Sequence, residues 1–313
     1  MTVAETQMVE EALKNYHFEK TKISFIRHNE NITCKVTADG NDYVLRIHSP
    51  VEGFSLKLFE HGSPEKLIRG ETELLLHLSK AALFPVQRPV KNKLGEYITT
   101  LSGGVPAQLL QWVEGKTLLG EDITPYAGEL GVLAAQIHSA SEGFAGERIS
   151  YSYDLVRRMR SEFAVAVEKN HLTQKQASVC GDVLTEIEHI MTELDRQPNS
   201  KSLIHADLGT ENIIKTPLGL APIDFSLSGF GYRAQECGMI AFNYENEEYR
   251  EVFRNSYEEA SGVEIKRHHM KAFGIFSILA FIAAQHDRYW TESWFQDSIA
   301  KWTDTLFVEL LSE

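Results

Sequence analysis

Cysteine is scarce in this sequence of 313 residues, which holds only Cys34, Cys180 and Cys237 and no CxxC pair. Such wide spacing argues against a zinc site built from cysteines and against a disulfide framework. Unpaired cysteines are typical of reducing compartments. The sequence therefore predicts a cytoplasmic protein.

Long apolar runs are also missing. The most apolar stretch, residues 274–284, has about half the length that a membrane span needs. Residues 1–15 have the pattern of a polar amphipathic helix and lack the basic-then-apolar layout of a signal peptide. The sequence therefore predicts no contact with a membrane.

Basic residues are outnumbered, since 31 Lys and Arg face 44 Asp and Glu and give a net charge of −13. Residues 1–110 hold 13 of each sign, so the whole excess lies in residues 111–313. Long-range repulsion argues against nucleic acid or an anionic membrane as a partner. A neutral or cationic small molecule is easier to accommodate.

Hydrophobic periodicity divides the chain into two parts. An antiparallel meander, a helix at 65–81 and two further strands are predicted first, and helices follow from about residue 124, interrupted by one non-helical stretch at 203–231. This predicts an α+β architecture, with a small sheet lobe at 1–110, a mostly helical lobe at 111–313 and a hinge near 111–115. The predicted strands are 23–27, 32–37, 42–48, 96–101 and 108–113, and the predicted helices include 130–138, 153–170 and 174–194.

The non-helical stretch contains the residues with clear chemical potential. It reads His205-x-Asp207-x-x-x-x-Asn212 and continues to the dipeptide Asp224-Phe225. Phosphoryl transfer from a nucleotide needs Mg²⁺ held by oxygen ligands, and a carboxylate that orients the attacking hydroxyl. Kinase catalytic loops have the same HxDxxxxN spacing, followed by an Asp-Phe dipeptide in the metal loop. Asp207, Asn212 and Asp224 are therefore candidates for these tasks.

With these motifs the sequence resembles the aminoglycoside phosphotransferase and choline kinase-like family, relatives of the protein kinases. The resemblance spans nearly the whole chain and implies a bilobal protein kinase-like fold, with a nucleotide-covering first lobe and a catalytic, acceptor-binding second lobe. It implies ATP, or GTP, and Mg²⁺ as cofactors and a small-molecule hydroxyl as acceptor. It implies that Asp207 is the catalytic base and that Asn212 and Asp224 are the metal ligands.

The resemblance also implies which residues meet the nucleotide. Arg46 takes the place of the basic residue over the phosphates, and strand alternation puts Val44 on the same face, against the adenine. Glu71 matches the helix glutamate that pairs with this base, and Glu73 is the alternative register. The residues that resemble the hinge, whose backbone meets the adenine edge, are Gln111 and Val113.

Four features depart from the usual kinase pattern, and the first is Arg46 in place of the usual lysine. The phosphate-covering turn at residues 27–31 has no glycine, Ser226 replaces the glycine after Asp-Phe, and Glu236 stands where the family usually has an aspartate that supports the catalytic loop. Only residues 226–235 separate the Asp-Phe dipeptide from Glu236. This short connection favours a small-molecule kinase over a protein kinase.

Two other functions stay open at this stage. One is a nucleotide-binding pseudokinase or interaction module, which the complete set of Asp207, Asn212 and Asp224 argues against. The other is a protein Ser/Thr kinase, which the short segment after Asp224 disfavours. The sequence identifies neither the acceptor nor the oligomeric state.

An acidic segment at residues 243–264 has a net charge of −5 and two interpretations. It is either a solvated helix face or the rim of a cleft that attracts a cationic acceptor, with nearby aromatic rings that supply cation–π contacts. The aromatic residues concerned are Phe242, Tyr244, Tyr249, Tyr289, Trp290 and Trp294.

Histidines elsewhere in the sequence have simpler interpretations. His205 is predicted to pack beneath the catalytic loop rather than to react. His268 and His269 are not predicted to bind a metal together, because neighbours on a helix point in different directions.

Overall fold

An antiparallel sheet of five strands forms most of the N-terminal part of the computed structural model, which describes residues 1–59 and 64–313. The strands are β1 Thr21–His28, β2 Ile32–Ala38, β3 Asn41–Ile47, β4 Ile98–Thr100 and β5 Pro106–Gln111. They lie in the order β1-β2-β3-β5-β4. The meander predicted from the sequence is confirmed, although β4 is shorter than expected and β5 ends before Val113.

Helices make up most of the remaining chain. The helices are α1 Val3–Leu13, α2 Pro64–Ala81, α3 Ala127–Ala140, α4 Tyr153–Glu168, α5 Gln174–Leu194, α6 Arg233–Ala241, α7 Glu247–Ser261, α8 Arg267–Tyr289, α9 Ser293–Lys301 and α10 Phe307–Ser312. A π-helical turn at Trp302–Leu306 joins the last two. The small sheet and the helical part together give the predicted α+β architecture.

Short strands make up much of the segment between α5 and α6, which the sequence predicts to be non-helical. Two further short strands from earlier in the chain pair with them. The short strands are β6 Lys116–Thr117, β7 Ile149–Ser150, β8 Lys201–Ile204, β9 Ile213–Thr216, β10 Gly219–Pro222 and β11 Gly229–Tyr232. They form two three-stranded sheets, β10-β9-β6 and β7-β11-β8. The only helical element within 203–231 is a 3-10 turn at Thr210–Asn212.

Strand β3 contributes to two hydrophobic cores through its two faces. Leu45 and Ile47 belong to a cluster that α1 covers with Val9 and Ala12. Val44, on the opposite face, belongs to the larger cluster that extends through the helical part. Residues two apart on a strand share a face, so Arg46 also points away from α1. Among the described residues, no helix is long and apolar enough to cross a membrane.

Candidate active site

The loop after β8 holds Asp207 and Asn212 in direct contact. Asn212 Nδ2 donates to the main-chain oxygen of Asp207 and to Asp207 Oδ2, both at 2.9 Å. Since the amide nitrogen faces two acceptors, the orientation of the amide is defined and Oδ1 is its remaining acceptor. Asn212 is buried, and its Oδ1 has no hydrogen-bond partner in the described chain.

Asp224 follows β10 and lies between two arginines. Its Oδ2 accepts a hydrogen bond from Arg27 Nη2 at 2.8 Å, and its Oδ1 lies 3.2 Å from Arg46 Nη2. Burial alone would raise the pKa of Asp224, but the two guanidinium groups outweigh burial and lower it. Asp224 is therefore ionised at neutral pH. Its φ of 63° is a left-handed conformation that aspartate tolerates better than most residues.

Arg46 and Glu71 form a buried ion pair between β3 and α2. Arg46 Nη1 donates to Glu71 Oε1 at 2.6 Å, and the two side chains are only 5% and 2% exposed. The alternative register is wrong, because Glu73 is exposed on the other side of the helix. Removing one partner of such a pair strands a buried charge, which costs about 3–5 kcal/mol.

Two features place α2 against residues 147–148 and, through Arg148, against the loop that carries Asp224. A side chain at Gly70 would meet the carbonyl oxygen of Glu147 at 1.8 Å, so only glycine allows this approach. The buried Arg148 donates to the carbonyl oxygens of Leu67, on α2, and Phe225, beside Asp224, at 2.7 and 2.8 Å. Arg148 thus holds α2 and the loop that carries Asp224 together. It was not predicted, because nothing local marks a long-range contact of this kind.

Negative charge is concentrated around Asp207. Burial raises the pKa of Asp207 well above its usual value, and the charges of Asp224, Glu211 and Glu30 raise it further. Burial, followed by Asp224, also raises the pKa of Glu30 to about 7. Glu30 Oε2 accepts a hydrogen bond from Ser226 Oγ at 3.4 Å. This concentration of carboxylates is suited to a cation.

The turn between β1 and β2 contacts the loop that carries Asp224 through side chains rather than through a glycine-rich backbone. Strand β1 has an irregular register between Phe25 and Arg27, a type of irregularity that redirects side chains. Arg27 contacts Asp224 and Glu30 contacts Ser226. The missing glycines at 27–31 signalled an unusual turn, but the partners of Arg27 and Glu30 require the folded chain.

Glu236, at the start of α6, supports the catalytic loop from below. Its Oε2 accepts hydrogen bonds from the main-chain amides of His205 and Ala206. Ala206 has a φ of 61°, which is uncommon for a residue with a side chain. Glu236 therefore takes the place predicted from the family pattern and holds a strained turn in front of Asp207.

His205 packs as the sequence predicts. Its ring is fully buried against Phe225, with ring centroids 4.4 Å apart. Its Nε2 lies 3.0 Å from the carbonyl oxygen of Ile223, which can only accept, so Nε2 donates. Burial lowers the pKa of His205 to about 4. The residue is neutral at pH 7 and has a structural role.

We expect Glu236→Gln to change how stability depends on pH. Burial raises the pKa of Glu236 to about 7, although the two amides oppose this, whereas its ordinary value is 4.5. The folded protein retains a proton that the unfolded chain has lost, so this residue makes the free energy of unfolding fall by about 3 kcal/mol as pH rises from 4.5 to 7. Glutamine does not titrate but still accepts from the amides.

Urea unfolding of wild type and variant across this pH range measures the difference. The variant should gain stability relative to wild type as pH rises to about 7, and the difference should then level off. Glu259→Gln, at an exposed position of α7, is the matched control for loss of one carboxylate. A pH-independent difference for Glu236→Gln would contradict the assigned proton.

The residues predicted to form the hinge lie at the end of β5, beside β3. Tyr43 pairs with Gln111 and Val44 with Leu110 in the β3–β5 ladder. The Gln111 amide donates to the carbonyl oxygen of Arg88 at 2.8 Å. The main-chain amide of Val113 has no backbone partner among the described residues. Val113 rather than Gln111 therefore has a donor available for a ligand.

A cavity of about 270 Å³ opens beside Asp207. Its walls are mostly apolar, and Asp207 is the only carboxylate among its described lining residues. Gln235 and Gln285 also line it, and each has a buried Oε1 without a hydrogen-bond partner. The remaining walls come from Phe54, Leu56, Phe59, Tyr151, Ala206, Leu227, Met239, Phe276, Ser277, Ala280, Phe281, Ala284 and Tyr289.

The acidic segment 243–264 lies elsewhere. It forms α7, which packs against α3, and no residue of α7 lines the Asp207 cavity. Several of its carboxylates pair with arginines, as Glu251 does with Arg254 and Arg267. Of the six aromatic residues considered with this segment, Tyr289 lines the cavity. The structure therefore favours the solvated helix face over the rim of an acceptor cleft.

The site has the chemistry that a divalent metal requires. Asn212 Oδ1 is a buried oxygen without a hydrogen-bond partner in the described chain, and Asp224 Oδ1 has only its ion pair with Arg46. Mg²⁺ prefers oxygen ligands, usually one or two carboxylates completed by water and phosphate. Unsatisfied buried oxygens are costly unless a ligand completes them. These two side chains therefore fit the metal-binding task implied by the sequence.

Comparison with known proteins agrees with this geometry. The sequence profile of the phosphotransferase enzyme family matches residues 22–273, which include nearly the whole five-stranded sheet, the loop with Asp207 and Asn212, and the start of α8. The chain belongs to the phosphotransferase enzyme family. Comparison with curated protein sequences finds no significant match for this phosphotransferase-family chain.

Solved structures of small-molecule kinases share the fold of this phosphotransferase-family chain. A microcompartment-associated aminopropanol kinase is 19% identical, with a TM-score of 0.73 and coverage of 97% of this chain and 95% of that one. The amicoumacin kinase hAmiN, in complex with AMP-PNP, Ca²⁺ and Ami, is 16% identical, with a TM-score of 0.72 and coverages of 97% and 93%. Choline kinase from Cryptosporidium parvum Iowa II is 14% identical, with a TM-score of 0.64 and coverages of 98% and 94%. The bilobal kinase-like fold predicted from the sequence is confirmed.

Proposed function

We propose that this chain transfers the terminal phosphoryl group of ATP to a hydroxyl of a small molecule, with Mg²⁺ as the metal. The observation that carries the proposal is the convergence of two contacts, Asp207 with Asn212 and Asp224 with Arg46. A base candidate, two metal-ligand candidates and a phosphate-binding cation thus meet in one buried cluster. Family membership supports phosphoryl transfer, and the known structures extend the fold comparison to small-molecule kinases.

On the nucleotide side, Arg46 would bind the phosphates. Glu71 fixes the guanidinium through a 2.6 Å hydrogen bond, so Arg46 is oriented before the nucleotide arrives. Arg27 reaches Asp224 from the glycine-free turn and would transfer this contact to a phosphate. Magnesium, held by Asn212 and Asp224, would neutralise charge on the transferred group.

On the acceptor side, Asp207 faces the 270 Å³ cavity and would orient the hydroxyl and accept its proton. The raised pKa of Asp207 makes its carboxylate a better proton acceptor than that of an ordinary aspartate. Cations bound nearby would lower that pKa, because opposite charge favours the ionised form. The hydrogen-bonding groups of Gln235 and Gln285 would select acceptors that donate to carbonyl oxygens.

The division of labour between the two parts of the chain is also a proposal. Residues 1–110 would cover the nucleotide and residues 111–313 would carry catalysis and the acceptor, with the hinge at 111–115. Val44 would lie against the adenine, and the unpartnered amide of Val113 would meet its edge. The strand that follows the hinge, β6, already pairs with β9 of the catalytic segment, which supports the boundary.

A panel assay tests the proposed activity. Purified protein is incubated with Mg²⁺ and ATP or GTP, and with aminoglycosides, choline-like amines, amino alcohols, sugars and apolar alcohols. ADP or GDP formation and the mass of the phosphorylated product are measured together. We expect acceptor-dependent product that requires both metal and nucleotide. A protein that shows neither product nor a nucleotide-dependent rise in Tm is not a kinase, and one that shows only the rise is a binding module.

A further inference from the structure

A second cluster of potential metal ligands lies where the end of α8 meets the loop between α4 and α5. It consists of His171 from the loop, and His286 and Asp287 from the last turn of α8. The two histidine Nδ1 atoms are 3.0 Å apart. Asp287 Oδ1 lies 3.3 Å from the Nδ1 of His171 and 3.5 Å from that of His286. None of the three residues lines the Asp207 cavity.

Two of these three distances match the edges of a tetrahedral zinc site, and the third, between the two Nδ1 atoms, is slightly shorter. Zinc binds imidazole nitrogen and carboxylate oxygen at about 2.0–2.2 Å, so neighbouring ligand atoms in a regular tetrahedron are about 3.3–3.6 Å apart. The three observed separations are 3.0, 3.3 and 3.5 Å. We propose that His171, His286 and Asp287 bind one Zn²⁺ ion. This proposal is independent of the phosphotransferase function.

The surroundings prepare both histidines as ligands. Glu162 Oε2 lies 3.7 Å from Nε2 of His286, which favours a proton on Nε2 and leaves the lone pair of Nδ1 available. A carboxylate behind a histidine is a common outer partner in zinc sites. His171 stacks on Trp290, with centroids 4.8 Å apart and planes 12° apart. These contacts hold the rings of His171 and His286 with their Nδ1 atoms directed toward the same point.

Asp287 determines how open the site is. Its side chain is 56% exposed, so water can supply the fourth position of the tetrahedron. Lys169 Nζ donates to Asp287 Oδ1 at 2.8 Å and to Oδ2 at 2.7 Å. The ammonium group competes with a cation for this carboxylate. We therefore expect Lys169 to weaken zinc binding. If its pair with Asp287 served only the structure, Lys169 would instead stabilise the folded protein.

Zinc at this position would join the end of α8 to the α4–α5 loop. Two nearby residues of α8 line the Asp207 cavity, Gln285 next to His286 and Tyr289 two residues beyond Asp287. A metal that fixes this turn would therefore fix one wall of the cavity without touching it. The expected role of the ion is structural.

Direct metal analysis tests the site. The full chain is stripped with chelator, loaded with zinc in the presence of excess Mg²⁺, dialysed, and its metal content measured by mass spectrometry. We expect one zinc per chain in wild type and a rise in Tm of about 2 °C or more. Trp290 fluorescence should change with the same stoichiometry, because its ring stacks on a ligand.

Variants separate this site from others. His171→Ala and Asp287→Asn should lose the zinc, Glu162→Gln should weaken it about 10- to 100-fold, and Lys169→Gln should tighten it. His268→Ala is the matched control, since His268 contacts the carboxylates of Glu186 and Glu313. Asp224→Asn should keep the zinc, which distinguishes this site from the magnesium ligands. The proposal is overturned if wild type holds no zinc, or if His171→Ala and Asp287→Asn retain as much as wild type.

Discussion

Asp207→Asn is expected to lower kcat by about 10²–10⁴-fold, the usual contribution of a positioned general base. Asparagine keeps the shape of the side chain but cannot accept the proton of the hydroxyl. The nucleotide and metal roles proposed for Arg46 and Asp224 are not touched by this substitution, so the Kd for ATP with Mg²⁺ should stay near the wild-type value. Steady-state kinetics with an acceptor from the panel, together with calorimetric ATP binding, measure both quantities.

Glu211→Gln is the matched control for Asp207→Asn. Glu211 is an exposed carboxylate on the turn that follows the catalytic loop, and its charge raises the pKa of Asp207. Its removal should leave kcat within about tenfold and move the acidic limb of the pH–rate profile to lower pH. Wild-type kcat in Asp207→Asn would refute the assigned base.

Local sequence patterns were sufficient to predict the catalytic loop and its surroundings. The order of strands and helices follows hydrophobic periodicity, and the family resemblance predicts the pairing of Arg46 with Glu71 that the 2.6 Å contact shows. The contact between Asp207 and Asn212 reflects a five-residue spacing within one loop. The Asp207–Asn212 contact depends on neighbours in sequence, so a linear motif preserves it.

Long-range charge placement could not be predicted in the same way. Arg27 lies 197 residues from Asp224 in the chain, and Arg148 lies 77 residues from Phe225. Nothing in the sequence around either arginine indicates its partner. Net charge also failed to indicate which carboxylates lie at the candidate site. The acidic residues of α7 face arginines and solvent, whereas Glu30, in the neutral N-terminal part, lies beside Asp224.

Ion pairs hold the side chains around Asp224 together, and binding of metal or nucleotide would rearrange them. Arg27 and Arg46 both contact Asp224, the carboxylate that would bind magnesium. A metal bound there removes part of the negative charge that holds the arginines, while phosphates offer them a new partner. Binding of metal and of nucleotide should therefore be coupled, and each should increase the affinity for the other.

Asp224→Asn is expected to abolish this coupling and to lower phosphoryl transfer by about 10³-fold or more, since a catalytic metal supplies several kcal/mol of charge stabilisation. Without the carboxylate, Arg27 and Arg46 are free to meet phosphate, so ATP without metal should bind at least as tightly as it does to wild type. The Kd for ATP, measured with and without Mg²⁺, should become nearly independent of the metal. Asp207→Asn is the comparison variant and should keep the metal dependence. If Mg²⁺ tightens ATP binding to Asp224→Asn as much as it does in wild type, Asp224 is not the metal ligand.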